Sequence, residues 1–323
     1  MTLTESFDPI FIVGAPRSGT TLLRAMLNRH PRIGLCDETY FFYYVHIRRR
    51  AFGDLSRPAN RKRLIDSYFA TSRMQRLKLD LPALGERLMQ EGTSYPAFFA
   101  GILAFYAESQ GKVRAGEKTP HHAWNTGELL EWYPNGRVIH LLRDPRDVTA
   151  SLFNQPWGRK SAAANGALWV SLTHAAEKSR ENPRFMRMRY EDLIEKPEEN
   201  LDRICRFLGE TFYPAMLNAE KPVKADKPWF ERAQGKLSKD RLGTWKDQLT
   251  PEEIRLVEWT AGPLMRQFGY APSLSPAGAG LRLRGKAHRI AEDVKERIVR
   301  APRLWYFWVK PKDLAGEERW IDR

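Results

Sequence analysis

The chain has 323 residues, 42% of them hydrophobic, and a formal net charge of +14 at pH 7. This is enough for one large α/β domain, or a domain with a tail; with no basic-then-apolar leader and no apolar run near the roughly 20 residues of a membrane span, a cytoplasmic enzyme is the expectation. The charge calls for polyanionic ligands or surfaces, while Cys36 and Cys205, far apart and in no metal-ligand spacing, predict reduced buried thiols and no metal.

Phe11, Ile12 and Val13 form a short apolar run of the kind a buried parallel strand uses, and Gly14 and Pro16 end it. Ser18 stands where a helix N-cap is expected, and Leu22, Leu23, Met26 and Leu27 follow at helical spacing. The exposed amides of such a helix, with the positive end of its dipole, make an anion site. Gly14 to Gly19 matches the opening of the phosphate-loop pattern, but Thr20 takes the lysine position and Thr21 follows it. Arg17 is then the cation on offer, with the hydroxyls of Ser18, Thr20 and Thr21. That set suits a terminal phosphate or sulfate ester without an obligatory metal.

A helical insertion follows this first βα unit, with helices predicted over Tyr40 to Arg50, Arg61 to Thr71 and Tyr95 to Gln110. Strand signal resumes at Lys112 to Lys118 and again at Arg137 to Arg143, and a helix begins near Pro145 and runs through Val148 and Leu152. Arg143 at the strand end and Ser151 on that helix make a second candidate anion site, with Asp144 and Arg146 supporting the turn. Pro183 to Tyr190 reads as a further strand, Pro197 to Leu208 as an amphipathic helix, and Thr250 to Phe268 as a helix opened by the capping run TPEE. Strands alternating with helices predict the fold class: α/β, a P-loop-type parallel sheet with helices on both faces, ligands binding at the carboxyl ends of its strands.

Residues 271–280 read as a linker by composition, so the expected organisation is a core domain of 1–270 and a tail of 281–323. The tail is basic and aromatic: Ile290, Val294 and Ile298 recur at four-residue spacing, and LWYFWV lies between Arg303 and Lys310. Two readings stay open for it: peripheral contact with an anionic membrane, at the inner face if the protein is cytoplasmic, or a helix packed on the core or on a second subunit of a homodimer.

The paired segments PRSGTT and RDPRDVTAS resemble those of the sulfotransferases that use 3′-phosphoadenosine 5′-phosphosulfate (PAPS), over roughly residues 8–270. The motifs are most similar to those of bacterial members related to the tyrosylprotein and carbohydrate sulfotransferases. The resemblance implies that Arg17, Ser18, Gly19, Thr20 and Thr21 hold the 5′-phosphosulfate, and Arg143 with Ser151 the 3′-phosphate. It further implies that Tyr190 contacts the nucleotide and that Ser238, Lys239 and the Gly243 to Lys246 run belong to a loop closing over it. The expected triplet there is RKG, where this chain has Ser238, Lys239 and Asp240.

Glu38, in CDETYFF, resembles the acidic residue that takes the acceptor's proton, and Lys118 the lysine that stabilises the leaving phosphate. His121, in GEKTPHH, is the alternative base, one residue out of register with the histidine of the cytosolic enzymes. The acceptor implied is a hydroxyl of a carbohydrate, tyrosyl peptide or lipid-linked compound. A P-loop nucleoside kinase and a basic nucleic-acid-binding protein are the rival readings. Thr20 in place of lysine and Arg143 at a magnesium-carboxylate position argue against the first; the absence of a recognised motif argues against the second.

Overall fold

The computed structural model describes residues 6–218, 238–309 and 312–314, the side chains of 295–309 excepted. Five parallel strands form one sheet in the order β2-β3-β1-β4-β5: β1 (Ile10–Gly14), β2 (Ile33–Cys36), β3 (Arg114–Lys118), β4 (Arg137–Leu142) and β5 (Phe185–Arg189). The predicted α/β class is the observed one.

Alternation along the strands divides the core. Phe11 and Val13 of β1, with Val138 and Leu142 of β4, face one apolar cluster that also contains the insertion. Ile10 and Ile12, with Ile139 and Leu141, face a second cluster with the helix after β1. Buried on both faces, β1 has no polar side chain, as a central parallel strand requires.

Helix α1 (Thr20–Leu27) follows β1, and its Leu22, Leu23, Met26 and Leu27 are buried as the spacing predicts. Its N-cap is not Ser18, however. Gly19 occupies that position in the left-handed region, φ +91°, and the Ser18 side chain does not cap the helix.

The insertion between β2 and β3 is more broken than predicted. Tyr40 to Arg50 resolves into α2 (Phe41–Tyr44), a 3-10 turn His46–Arg48 and α3 (Arg49–Phe52). There follow α4 (Pro58–Phe69), α5 (Ser72–Arg76), α6 (Leu81–Glu91) and α7 (Tyr95–Ser109). Its aromatics are mainly core: Phe41 stacks on Phe99 at 4.4 Å, and Phe42 on Trp132 at 4.9 Å.

Helices α8 (Thr126–Trp132), α9 (Pro145–Phe153), α10 (Ala162–Glu177), α11 (Tyr190–Glu195) and α12 (Pro197–Leu208) complete the layers on the two faces. A short turn, α13 (Trp245–Gln248), leads into α14 (Pro251–Gln267), which opens with the predicted Thr250–Glu253 capping box. Ala279 starts α15 (Ala279–Val309), and the chain then returns to the insertion. There Ser67 Oγ donates to the Lys312 carbonyl and accepts from Leu314 N–H, and Leu314 is fully buried among the insertion's apolar residues.

Candidate active site

The carboxyl end of every strand contributes to one region: Arg17 and Ser18 after β1, Asp37 and Glu38 after β2, Lys118 closing β3, Arg143 after β4 and Tyr190 after β5. This is where an open parallel sheet presents its loops and helix N-termini to a ligand.

Around the first loop, three guanidiniums and one phenol converge. Arg143 donates to the Arg17 carbonyl at 3.1 Å and to the Arg241 carbonyl at 2.6 Å, and lies over the Tyr190 ring at 4.6 Å. Arg17 donates from Nε to Ser151 Oγ at 3.0 Å, so the two anion segments read from the sequence touch directly. Burial, followed by repulsion from Arg143 and Arg241, lowers the Arg17 pKa, with Glu38 near enough to pull the other way. Such a cluster is poised to gain from an anion.

Two buried polar atoms in this cluster, Ser18 Oγ and Arg143 Nε, have no hydrogen-bond partner among the described residues. The backbone is strained here as well. Arg17 holds φ +73° and Tyr40 φ +51°, two of the three non-glycine residues with positive φ among those described. Gly19 is required twice over, because a Cβ there would lie 2.3 Å from the Tyr190 ring. Thr20, buried, and Thr21 are the first two residues of α1, at its positive end.

The second cluster surrounds Lys118, which is completely buried. Its ammonium donates to Glu38 Oε1 at 2.6 Å and lies 2.8 Å from Asp37 Oδ1. Arg73 meets the other Glu38 oxygen at 3.5 Å and lies over the Tyr40 ring at 4.3 Å. Burial would raise the Glu38 pKa, but Lys118 and Arg73, against the repulsion of Asp37, hold it below its ordinary value. Asp37 is lowered likewise, its burial outweighed by Lys118 and Arg24.

The neighbouring Glu117 goes elsewhere. It accepts from Thr39 Oγ1 at 2.5 Å and Thr119 Oγ1 at 3.0 Å, and His122 Nδ1 lies 2.5 Å away. Thr39, and with it the Glu38 segment, is thereby anchored to β3. His121 occupies a different position, in a row of rings leading outward. It lies 5.6 Å from the Tyr40 ring and 5.6 Å from Trp124, whose surface is 46% exposed.

Ser238, Lys239 and Lys246 are less involved than the resemblance implies. The Ser238 hydroxyl donates to Asp240 within its own turn, Lys239 is exposed, and Lys246 is exposed beside the Trp245 ring. The loop reaches the cluster instead through the Arg241 carbonyl. It is held there by buried Asp147, which accepts from Gly243 N–H, Thr244 Oγ1 and Trp245 N–H at 3.0, 3.1 and 3.0 Å. Asp144 and Arg146 do support the turn: they pair at 2.7 Å, and Arg146 also reaches Glu258 at 2.8 Å and lies over Trp245. Asp147 and Arg241 are site residues that no sequence expectation above includes. The second Asp of RDPRD was the available signal, one helical turn from Arg143. Among the described residues no group of three or more His, Cys, Asp or Glu is placed to hold a metal ion.

The model of the sulfotransferase family matches residues 9–214, more than half of the chain. The chain belongs to the sulfotransferase family. Protein-tyrosine sulfotransferase 2 of Gallus gallus is 25% identical over 289 residues, covering 84% of this chain and 71% of the relative. Nodulation protein NoeE of Sinorhizobium fredii is 27% identical over 333 residues, covering 92% and 73%. In fold, the chain is similar to the sulfotransferase domain from the curacin biosynthetic pathway, with a TM-score of 0.55, 20% identity, and coverage of 83% of this chain and all of that one.

Proposed function

We propose that this sulfotransferase takes its sulfuryl group from PAPS and gives it to a hydroxyl of a carbohydrate, tyrosyl peptide or lipid-linked acceptor, with Glu38 as general base. The supporting observation is the pair of adjoining clusters: guanidiniums with unpartnered buried donors on one side, a carboxylate and buried ammonium on the other. The bound donor supplies an electrophilic sulfuryl group and a phosphate leaving group. Ser18, the α1 amides and the Arg17 guanidinium fix the 5′ end, while Arg143, Ser151 and Tyr190 receive the 3′-phosphate and base.

Glu38 accepts the acceptor's proton as the oxygen attacks, and Lys118 places its charge at the bridging oxygen. One consequence concerns the strength of the base. A Lys118 drawn to the leaving phosphate withdraws from Glu38, and the carboxylate, relieved of its nearest cation, becomes a stronger base during the step that uses it. The row Tyr40, His121 and Trp124 forms the acceptor wall, with apolar ring faces suited to a sugar or phenol.

Isothermal titration against adenosine 3′,5′-bisphosphate, ATP with magnesium, and an oligonucleotide tests the donor. Tight binding is expected for the first alone; preference for ATP with magnesium would favour the kinase reading, and preference for the oligonucleotide the nucleic-acid reading. Gly19→Ala should weaken adenosine 3′,5′-bisphosphate by on the order of tenfold and lower the melting temperature, because the new methyl displaces Tyr190 from an already strained turn. Unchanged affinity in that variant would separate Tyr190 from the nucleotide site.

A further inference from the structure

Among its described side chains, helix α15 is anchored by one face. Leu281 and Gly285 lie against Leu256 of α14, Arg284 pairs with Glu252 at 2.9 Å, and Asp293 reaches Arg159 at 3.4 Å. Its opposite face carries Leu283, Ile290 and Val294, which are 70%, 58% and 46% exposed. The spacings of seven and four residues put all three on one line along the helix. Exposed Lys286, three residues after Leu283 and four before Ile290, borders this line.

We propose that this face binds the surface of an anionic lipid bilayer. Apolar residues along a line, bordered by the Lys286 ammonium, match acyl chains below and acidic headgroups beside them. No described helix is long and apolar enough to cross a membrane, so the contact is one of lying on the surface. At about 1.5 Å per residue, the line from Leu283 to Val294 is about 17 Å long.

Co-sedimentation of the full-length protein with vesicles tests this. Binding is expected to phosphatidylcholine mixed with phosphatidylglycerol, to fall with added salt, and to be weak for phosphatidylcholine alone. Leu283→Asp combined with Ile290→Asp should reduce it on the order of tenfold or more, and Lys286→Glu several-fold, with adenosine 3′,5′-bisphosphate affinity and melting temperature unchanged. Equal binding by wild type and the double variant, or no binding by wild type, overturns the proposal. So does a wild-type dimer in sedimentation velocity that the double variant dissolves, which would assign the face to self-association.

Discussion

Glu38→Gln is expected to lower kcat by roughly 10²- to 10⁴-fold, the usual loss for a general base, while leaving adenosine 3′,5′-bisphosphate affinity near that of wild type. The substitution keeps the shape of the side chain and its acceptor oxygen toward Lys118 but removes the proton-accepting charge. Steady-state kinetics with a labelled sulfonate donor would measure the first effect and titration calorimetry the second.

The pH profile gives an independent test. Glu38 is held below 4.5, so the carboxylate stays ionised through mildly acidic pH, and the acid limb of kcat/KM should fall below that value. The stability it contributes is present above the unfolded carboxylate pKa and is lost as pH falls through the depressed folded one. An acid limb near the ordinary imidazole value of about 6.5, abolished in His121→Ala, would transfer the role of base to His121. Near-normal turnover in Glu38→Gln would point the same way.

Lys118→Met carries the second large effect, on two quantities at once. Turnover should fall by roughly 10²- to 10³-fold, as for removal of a positioned electrostatic donor. Stability should fall too, because the ammonium lies between Asp37 and Glu38, and its loss leaves two carboxylates facing each other. Breaking a buried pair costs about 3–5 kcal/mol; with the Asp37 side chain 35% exposed, about 3 kcal/mol is the expected size at pH 7.

The sign of the pH dependence follows. One carboxyl of the unshielded pair has a raised pKa, so the variant should regain stability as pH falls and protonates it. Lys118→Met with Asp37→Asn should recover stability at neutral pH without recovering turnover. Denaturant melts at two pH values and kinetics on the same preparations separate the two roles. Recovery of both in the double variant would make Lys118 structural.

The segments most legible in the sequence were those in which several signals coincided. FIVGAPRSGTT and VIHLLRDPRDV each combine a buried strand run, a turn residue and a helix start, and both lie at the sheet's centre. Less could be read where a signal was short or one-sided. Strand β2 has only four residues, IGLC, and no alternation to mark it. Helix α10 gives no such signal, because apolar and small residues lie on all its sides and no 3.6-residue stripe stands out.

Ser18 has the composition of a cap, but the left-handed turn at Gly19 places the cap one residue later and leaves the Ser18 hydroxyl for other use. Local sequence also could not reveal that adjacent residues part company at the end of β3. Glu117 turns to Thr39 and His122, and Lys118 to Asp37 and Glu38. His122 is near in sequence, but Thr39, Asp37 and Glu38 are some 80 residues away, and partners so distant are set by strand order, which no local pattern encodes.

The return of the chain to the insertion bears on how the protein is made. Leu314 fills a fully buried position beside α4, and Ser67 donates to the Lys312 carbonyl and accepts from the Leu314 N–H. The insertion, begun some 270 residues earlier at Phe41, therefore acquires this apolar contact only when residue 314 has left the ribosome. Any shortened chain ending before Leu314 lacks that apolar contact and the two hydrogen bonds to Ser67. Proteolysis or translational stalling that removes Leu314 would thus be felt in the insertion between β2 and β3, far along the chain from the cut.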